Sequence, residues 1–384
     1  MPEKRYLVTP GPTPVPPEVL AATALPMIHH RSAEFRGVFA AVLERLRTLY
    51  RTGNDVLLFT SAGTAAMESA VANVCSPGDR VLVVSHGYFG ERWATIATGY
   101  GLEVDHLRYE WGETPDPDEI GARLEELGGA RAVYLTHSDT STGVVADVQA
   151  TAARLEGSGA LVAVDAISSL AAVPLETDDW GLDVVITSSH KALMCPAGLA
   201  FAAVSPAALE ATETASCPRF YLDWRRTLTA QAKGESPFSV AISLVRGLDV
   251  ALDLILAEGL ETAYQRHVRL GRAARAGVKA MGLELFSPDE DRAAVVTAIR
   301  MPEEVDGQAV VAGMRERSGV TVIGGQGHLR GKIVRVGHIG YVDAMDVVVA
   351  LSALELELAE AGVDVERGAA VPAALEAYAE PVAA

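Results

Sequence analysis

Six short runs of apolar and β-branched residues alternate with helix-like segments, and this alternation constrains the fold more than any other feature. The runs cover residues 55–60, 80–85, 132–136, 161–165, 184–187 and 199–204. Several are apolar on both faces, as strands buried inside a parallel sheet are. Apolar residues at helical spacing lie nearby, for example over 33–50, 64–74 and 91–100. The pattern predicts an α/β doubly wound sheet.

The order of elements changes near residue 258, which indicates a second domain. At 384 residues the chain is longer than a single hydrophobic core usually supports. A long amphipathic helix is followed by strand, helix, strand and helix patterns, over 260–281, 293–300, 305–316, 332–337 and 344–361. This order predicts a smaller α+β domain. We divide the chain into an N-terminal arm, a large domain, a small C-terminal domain and a tail, over 1–17, 18–257, 258–365 and 366–384.

Five prolines within residues 9–17 exclude a helix or a central strand there, because proline lacks the N–H group that either would need. We expect this segment to be an extended arm that lies on the surface. The alanine-rich end of the chain, 368–384, is expected to form a short helix and a frayed terminus.

The net charge and the cysteines narrow the classes of partner. A formal net charge of -18 at pH 7 argues against nucleic acid or an anionic membrane, because both attract positive surfaces. The first eight residues contain no apolar signal-peptide core, and no run reaches the roughly 18 apolar residues of a membrane span. Cys75, Cys195 and Cys217 show no metal-ligand spacing. They are expected to be reduced thiols in a cytoplasmic protein without a metal site.

Ligands of open α/β sheets bind beyond the carboxyl ends of the strands, so polar residues at these ends are candidate site residues. Residues 60–64 (Thr-Ser-Ala-Gly-Thr) join a predicted strand to a helix. Their small side chains would let backbone N–H groups hold a phosphate, although a plain turn capped by Thr64 would have the same sequence. The polar run 136–143 follows another strand, and its hydroxyls could bind a ring oxygen or cap a turn.

Asp165 and Lys191 follow two further predicted strands. Asp165 ends an apolar strand and needs a cationic partner such as a protonated pyridine nitrogen, although an N-cap, an ion pair or a metal remains open. The chain has five lysines against 27 arginines. A lysine can lose its proton and act as a nucleophile, which an arginine cannot, although Lys191 could also be an exposed residue after a strand. The two lie 26 residues apart, one strand–helix–strand unit, so both can reach one pocket.

In their order and spacing these motifs resemble the class V aminotransferases of the pyridoxal-phosphate fold-type I superfamily, over nearly the whole chain. The alanine–glyoxylate and serine–glyoxylate (serine–pyruvate) aminotransferase branch is the most similar. The matching segments are 9–14, 61–68, 86–92, 136–143, 164–170 and 189–193. The resemblance implies a large domain, which binds pyridoxal phosphate on a mostly parallel seven-stranded sheet, and a smaller α+β C-terminal domain.

The resemblance implies a cofactor site built on Lys191, which would form a Schiff base with pyridoxal phosphate and then move the substrate proton. Asp165 would keep the pyridine nitrogen protonated, so that the ring accepts electrons. Phe89 matches a stacking aromatic, often tryptophan, and His190 stands where this branch commonly has glutamine and the desulfurases have histidine. The implied cofactor-binding residues are Ala62, Gly63 and Thr64 (the phosphate), Phe89, Thr140 (the ring hydroxyl), Asp165, His190, Lys191 and Ser236.

The resemblance also implies contacts with the substrate and between subunits. Arg335 matches the arginine that pairs with the substrate α-carboxylate through two hydrogen bonds. Ser236 matches a residue that reaches the phosphate of the neighbouring subunit, assisted by Lys233, so a homodimer with composite active sites is expected. Residues 30–31 (His-Arg) match a segment at the pocket entrance. Residues 324–327 (Gly-Gly-Gln-Gly) are expected to form a mobile loop near the substrate.

The implied activity is transfer of an amino group from a small amino acid, alanine or serine, to glyoxylate or pyruvate by a ping-pong mechanism. An aspartate-type aminotransferase remains open. A cysteine desulfurase or lyase would need a nucleophilic cysteine on a small-domain loop, and no cysteine follows Cys217. A nicotinamide-dependent dehydrogenase would need G-x-G-x-x-G after an early strand, whereas 61–64 contains one glycine. A non-catalytic regulator would need a DNA-binding domain, for which the charge and length leave no room.

Overall fold

The computed structural model describes residues 4–382 of the chain. Residues 1–3 of the predicted arm and residues 383–384 of the predicted tail lie outside the described residues. The strands in this range are β1 (Tyr6–Leu7), β2 (Asp55–Phe59), β3 (Arg80–Ser85), β4 (Glu103–Arg108), β5 (Ala132–Thr136), β6 (Ser138–Asp139), β7 (Val144–Val145), β8 (Leu161–Asp165), β9 (Val184–Ser188), β10 (Ala200–Val204), β11 (Val296–Arg300), β12 (Val320–Thr321), β13 (Ile323–Gly324) and β14 (Ile333–Gly337).

The helices in the same range are α1 (Pro17–Thr23), α2 (Ala33–Tyr50), α3 (Gly63–Val74), α4 (Tyr88–Gly99), α5 (Pro117–Glu126), α6 (Val148–Leu155), α7 (Pro206–Ala211), α8 (Trp224–Gln231), α9 (Ile242–Glu258), α10 (Leu260–Ala280), α11 (Gly307–Arg317), α12 (Ala344–Glu360) and α13 (Ala370–Ala379), with a 3-10 turn over Gly327–Leu329. None of the helices found between residues 4 and 382 is both long enough and apolar enough to cross a membrane.

Seven strands form one sheet with the order β2-β10-β9-β8-β5-β3-β4. Every neighbouring pair is parallel except the two pairs of β10, which runs antiparallel to β2 and to β9. Helices α3, α4 and α5 connect successive strands from β2 to β5. The predicted α/β class, with a mostly parallel seven-stranded sheet, is confirmed.

Both faces of this sheet are buried, which explains why its strands are apolar runs rather than alternating patterns. In β2, Val56 and Leu58 face one hydrophobic cluster that includes residues of α2. The alternate residues, Leu57 and Phe59, face a second cluster that includes residues of α3. Each of the four is at most 4% exposed, and burying one such side chain stabilises the fold by about 1.5–3 kcal/mol.

The apolar pattern does not reveal β4, the edge strand beside β3. Its sequence, Glu-Val-Asp-His-Leu-Arg, carries charged or polar side chains at four positions, and its residues are exposed or half-buried. An edge strand has a hydrogen-bonded neighbour on one side only, and polar side chains there remain in contact with water. For this reason β4 has no continuous apolar run that could identify it in the sequence.

A small antiparallel sheet with the order β11-β14-β13 follows in the C-terminal part of the chain. Helices α10, α11 and α12 pack with it around a separate core that includes Leu270, Ile299, Val334 and Leu354, each fully buried. The smaller α+β unit of the predicted fold class is therefore present. Strand β1 pairs in parallel with β12, so the start of the chain joins this C-terminal unit.

One terminal segment differs from its prediction, and the other contains the predicted short helix. Residues 8–16 contain neither helix nor strand, but they are not a surface arm, because Val8, Thr9 and Thr13 are at most 3% exposed. The predicted tail is largely α13, whose Ala370 and Ala374 are buried in the core of the C-terminal unit. Proline content shows that a segment cannot be helical, and alanine content shows that it can be, but neither shows what the segment packs against.

Candidate active site

The ends of several strands and the turn before α3 surround one cavity of about 290 Å³. Strands β5, β8 and β9 are parallel neighbours, so their carboxyl ends meet at the same edge of the sheet. The cavity is lined by Gly11, Ala62, Gly63, Thr64, Phe89, Arg92, Ser138, Asp165, Ile167, Ser168, Ser188, His190 and Lys191. All of the predicted cofactor-binding residues except Thr140 and Ser236 belong to this lining.

Lys191 lies in the turn after β9 and is 8% exposed, so it is not a surface lysine. Its Nζ donates a hydrogen bond to the carbonyl of Pro10 at 2.6 Å. Burial lowers the pKa of Lys191 to about 8; the charge of Asp165 opposes this shift, and that of Arg335 adds to it. The neutral, nucleophilic form of the amine is therefore reached at a much lower pH than for an ordinary lysine.

Asp165 is the last residue of β8 and is 4% exposed. Its Oδ1 accepts a hydrogen bond from the N–H of Ile167 at 2.8 Å, and no helix begins there for the carboxylate to cap. Burial raises the pKa of Asp165 to about 7, whereas the Ile167 hydrogen bond and the charge of Lys191 lower it. Within residues 4–382 it forms no ion pair, so a cation bound in the cavity would stabilise its charged form.

The N-terminus of α3 is open toward the cavity. Ala62 is the N-cap residue and no side chain caps the helix, so the first N–H groups of α3 are free for a ligand. Thr64, the predicted alternative cap, instead accepts a hydrogen bond from Arg92 Nη1 at 3.0 Å. A Cβ atom on Gly63 would lie 2.7 Å from Ile167 Cδ1, so a larger residue here would have to displace the Ile167 side chain. This arrangement can bind an anion such as a phosphate.

A buried carboxylate positions Phe89 at the cavity wall. Asp139 Oδ2 accepts hydrogen bonds from the N–H groups of Phe89 and Gly90, at 2.9 and 3.2 Å, and so caps the start of α4. Ser141 donates to the other oxygen of Asp139. The aromatic ring of Phe89 is therefore attached to a helix whose first turn is held by the polar run 136–143.

His190 lines the cavity as a neutral residue. Its Nδ1 lies 3.3 Å from Ser188 Oγ, within hydrogen-bond distance. Burial, with a smaller contribution from the charge of Lys191, lowers the pKa of His190 to about 4. His190 can therefore offer a polar ring to a ligand at neutral pH, but it adds no positive charge to the cavity.

Arg335 and Thr140 contact each other beside the cavity. Arg335 lies in the centre of the small sheet, is 3% exposed, and donates from Nε and Nη2 to the carbonyl of Gly324. Its Nη1 donates to the carbonyl of Thr140, whose side chain is buried outside the cavity lining. Burial lowers the pKa of Arg335 to about 10, and among residues 4–382 no carboxylate pairs with it. A buried guanidinium without an anionic partner can bind a substrate carboxylate.

Ser236 is not among the residues that line the cavity. Its neighbour Glu235 forms ion pairs with Arg36 and Arg31, which hold the segment against the start of α2. Ser236 is half-buried, and Lys233 is exposed. Residue 30 also lies outside the cavity lining.

Six lining residues received no role from the sequence: Gly11, Arg92, Ser138, Ile167, Ser168 and Ser188. All except Ser188 lie in a segment that matches the family, so the motifs indicated the segment but not the residue. Within residues 4–382, the buried Ser138 Oγ has no hydrogen-bond partner. Gly11 faces Lys191, and a Cβ atom there would collide with the end of the lysine side chain.

The donors and charges of this cavity fit pyridoxal phosphate. The open end of α3 fits a phosphate, Asp165 fits a protonated ring nitrogen, and Phe89 offers an aromatic face. The buried amine of Lys191 fits an aldehyde, because its lowered pKa favours the nucleophilic form. The site thus supplies partners for the phosphate, the ring nitrogen, the ring face and the aldehyde of that cofactor.

Comparison with known proteins gives a consistent family. The sequence matches the family described as aminotransferase class-V over residues 5–345. A Synechococcus sp. protein named soluble hydrogenase, small subunit, is 42% identical over 94% of this chain and 95% of its own. The serine–glyoxylate aminotransferase of Arabidopsis thaliana is 34% identical over 97% of this chain and 95% of its own. A solved aspartate aminotransferase from Thermus thermophilus has a TM-score of 0.85 at 35% identity, covering 92% of this chain and 99% of that one.

Proposed function

We propose that the chain moves an amino group from alanine or serine to glyoxylate or pyruvate. It belongs to the class V aminotransferase family, and this membership is the premise of the proposal. The observation that carries the proposal is the cavity that contains both Lys191 and Asp165 beside the open end of α3. Within it, a lysine of lowered pKa faces a carboxylate that has no cationic partner among residues 4–382.

Pyridoxal phosphate, when bound, would supply a carbonyl carbon for the amino group and a protonated ring that accepts electrons. The N–H groups at the start of α3 would hold the phosphate, and Asp165 would keep the ring nitrogen protonated. Arg335 orients the amino acid by its α-carboxylate. Lys191 Nζ would take the proton from the α-carbon of the donor in the first half-reaction and deliver a proton to the α-carbon of the acceptor in the second.

Two half-reactions complete the transfer. The donor amino acid leaves as an oxo acid before the acceptor oxo acid binds in the same place, so the kinetics are ping-pong. The same residues serve both halves, because donor and acceptor each carry one carboxylate for Arg335. Lys191 is 8% exposed, so bulk water has little access to its amine.

The small number of cationic side chains at the site favours a donor amino acid with a small, uncharged side chain. An aspartate donor would need a second cation for its side-chain carboxylate. Apart from Arg335 beside the cavity, the arginine found within residues 4–382 at this site is Arg92 of the lining, and it is bound to Thr64 at the phosphate end. The Arabidopsis relative is named for serine and glyoxylate, whereas the Thermus structure is named for aspartate, so an aspartate-type enzyme is the alternative.

A spectral screen tests this function. Single amino acids are added to the cofactor-loaded protein and the visible absorbance of the bound cofactor is followed; oxo acids are then added to restore it. We expect alanine or serine to change the absorbance, and glyoxylate or pyruvate to reverse the change. Lys191→Ala should lose this cycle, whereas Lys279→Ala, at a surface ion pair, should retain it. Full transamination by Lys191→Ala would refute the mechanism.

The Synechococcus relative is named for a hydrogenase, and the same preparation distinguishes that activity. No group of three His, Cys, Asp or Glu side chains comes together as a metal site in the range 4–382. We expect no hydrogen-dependent reduction of a redox dye by a preparation that completes both half-reactions.

A homodimer with composite sites is part of the proposal. Ser236 lies outside the cavity lining, close in sequence to the half-buried Phe238, whose ring packs with those of Phe220 and Tyr221. Phe220 is 64% exposed and Tyr221 is 43% exposed, which is unusual for large apolar side chains unless another surface covers them. Tyr221 also donates a hydrogen bond to the carbonyl of Thr60, next to the open end of α3.

Mixed dimers test the contribution of Ser236. A Lys191→Ala subunit and a Ser236→Arg subunit are each expected to be inactive as homodimers. In a mixed dimer, one of the two sites would combine Lys191 of the Ser236→Arg subunit with Ser236 of the Lys191→Ala subunit. Part of the activity should therefore return. A mixture that stays inactive, or a monomer in sedimentation experiments, would contradict the composite site.

The domain limits 18–257 and 258–365 and a cytoplasmic location also belong to the proposal. Gly259 separates α9 from α10 with φ at +85°, a conformation suited to a break between two helices. The three cysteines are buried and unpaired, as in proteins of reducing compartments. Limited proteolysis should cut near residue 259 if the boundary is correct.

A further inference from the structure

Arg92 lines the cavity but has no part in the mechanism above. It lies at the start of the second turn of α4, and its Nη1 hydrogen bond to Thr64 Oγ1 links α4 to α3. Its guanidinium carbon lies 4.8 Å from the centre of the Phe89 ring. One side chain therefore contacts both the helix start that fits the phosphate and the aromatic ring that fits the cofactor ring.

The charges around Arg92 point to a bound anion. Among residues 4–382, Arg92 forms no ion pair, and Thr64 is its hydrogen-bond acceptor. A guanidinium has five N–H donors, so most of its donors have no protein partner. The lining contains one carboxylate, Asp165, which fits a ring nitrogen instead. A phosphate at the open end of α3 would place its negative charge beside the free donors of Arg92.

We propose that Arg92 is a positioning residue for the cofactor phosphate: it holds Thr64 at the helix start, donates its free N–H groups to the phosphate, and keeps Phe89 in place. This inference rests on the proposed function, because it requires pyridoxal phosphate in this cavity. The same charge supports the chemistry at Lys191. Burial is the main cause of the lowered pKa of Lys191, and the charges of Arg335 and Arg92 act in the same direction.

A merely structural link between α3 and α4 would show the same hydrogen bond, so the test must separate the two roles. Pyridoxal lacks the phosphate of pyridoxal phosphate but carries the same ring and aldehyde. If Arg92 acts on the phosphate, its replacement weakens binding of the phosphorylated form selectively. If it only supports the helices, its replacement affects both ligands alike.

The experiment measures the dissociation constants of pyridoxal phosphate and pyridoxal for the full-length, cofactor-free protein, by absorbance titration. For Arg92→Gln and Arg92→Met we expect the affinity for pyridoxal phosphate to fall by about tenfold or more, as for loss of a hydrogen bond between charged groups. The affinity for pyridoxal should change by less than about twofold. Arg92→Lys should recover part of the loss, because it keeps the charge but not the planar set of donors.

Arg300→Gln is the matched control. The guanidinium of Arg300 also lies over a phenylalanine ring, 4.7 Å from that of Phe286, but outside this cavity. Its replacement should leave both affinities unchanged. Circular dichroism and thermal unfolding without cofactor identify any variant that is not folded, and the Gln and Met variants provide two independent tests.

Three results would overturn the inference. If the Arg92 variants lose affinity for both ligands equally, or for neither, Arg92 is only a structural link between the helices. The proposed function would stay intact in that case, provided that the wild-type protein completes both half-reactions. A wild-type protein that binds pyridoxal phosphate no more tightly than pyridoxal would overturn the phosphate site and the proposed function together. The two failures are therefore distinguishable.

Discussion

Gly11 lies directly against the amine of Lys191, and this contact leaves no room for a side chain. A Cβ atom on Gly11 would collide with Nζ, Cε and Cδ of Lys191, and the backbone φ of +139° is one that other residues rarely adopt. The carbonyl of the preceding residue, Pro10, accepts the hydrogen bond from Nζ. The proline-rich segment thus forms the wall of the cavity at the reactive atom.

Replacing Gly11 by alanine should prevent cofactor attachment. The added methyl group would displace Lys191 Nζ, and the backbone strain would cost about 1–3 kcal/mol. We expect Gly11→Ala to retain little pyridoxal phosphate after dialysis, measured as the absorbance of bound cofactor per protein chain. Gly37→Ala is the control, because a Cβ atom there meets nothing within 4 Å inside α2. It should load fully and gain up to about 1 kcal/mol in stability. Full loading of Gly11→Ala would contradict this role.

At the scale of elements, α3 differs from most helices of the chain at its N-terminus. Side chains cap several others, for example Ser32 at α2, Asp306 at α11 and Asp343 at α12. At α3 the N-cap residue is Ala62, which has no side-chain acceptor although its backbone has the extended conformation that capping residues adopt. The uncapped end keeps its N–H groups free for an anion. The helix therefore lacks the stabilisation that a cap would provide, at the place where a ligand can bind.

A cap added at α3 should therefore stabilise the cofactor-free protein and weaken cofactor binding. For Ala62→Asp we expect the free energy of unfolding without cofactor to rise by about 0.5–2 kcal/mol. Affinity for pyridoxal phosphate should fall, because the carboxylate occupies the N–H groups and repels the phosphate. Asp343→Ala, which removes the cap of α12, should lose about 1 kcal/mol and keep the cofactor affinity. Denaturant unfolding and absorbance titration measure both quantities. Tighter cofactor binding by Ala62→Asp would exclude a phosphate at this helix.

Across the whole molecule, buried histidines make stability depend on pH. Burial lowers the pKa of His137 to about 4 and those of His267 and His338 to about 3. The contacts of His267 select a neutral ring: Nδ1 donates to the Ala263 carbonyl at 2.7 Å, and Nε2 accepts from the Gly340 N–H at 3.0 Å. Gly340 in turn packs against the backbone of Lys191, so His267 supports the site from the C-terminal unit.

These histidines should reduce stability as the pH falls. Their folded pKa values lie below that of an unfolded histidine, near 6.5, so the contribution is complete above about pH 6.5 and is lost toward the folded values. We expect the free energy of unfolding to fall between about pH 6.5 and 4. His267→Gln should lower that slope by up to about 1.4 kcal/mol per pH unit, the effect of one proton. An unchanged slope in His267→Gln would contradict the assignment.

The buried strands could be predicted closely, and the half-buried elements could not. Strands β3, β5 and β8 begin and end at the predicted residues, because both of their faces are buried and each face demands apolar side chains. Strand β4 is polar and lies at the edge, so the same criterion misses it. In the site, Asp165 and Lys191 could be proposed together because both follow buried strands that end at one edge of the sheet.

Other site residues depended on contacts between distant parts of the chain. The sequence marked the proline-rich segment as non-helical, yet only the folded chain brings Gly11 and Pro10 against Lys191. It marked the motif that contains Arg92, yet the contact with Thr64 joins two helices. Periodicity and composition describe the environment of each residue along one element, so the sequence by itself determined the sheet and the strand ends that carry the chemistry. Which side chains meet is set by the packing of several elements at once, and only the tertiary structure decided that.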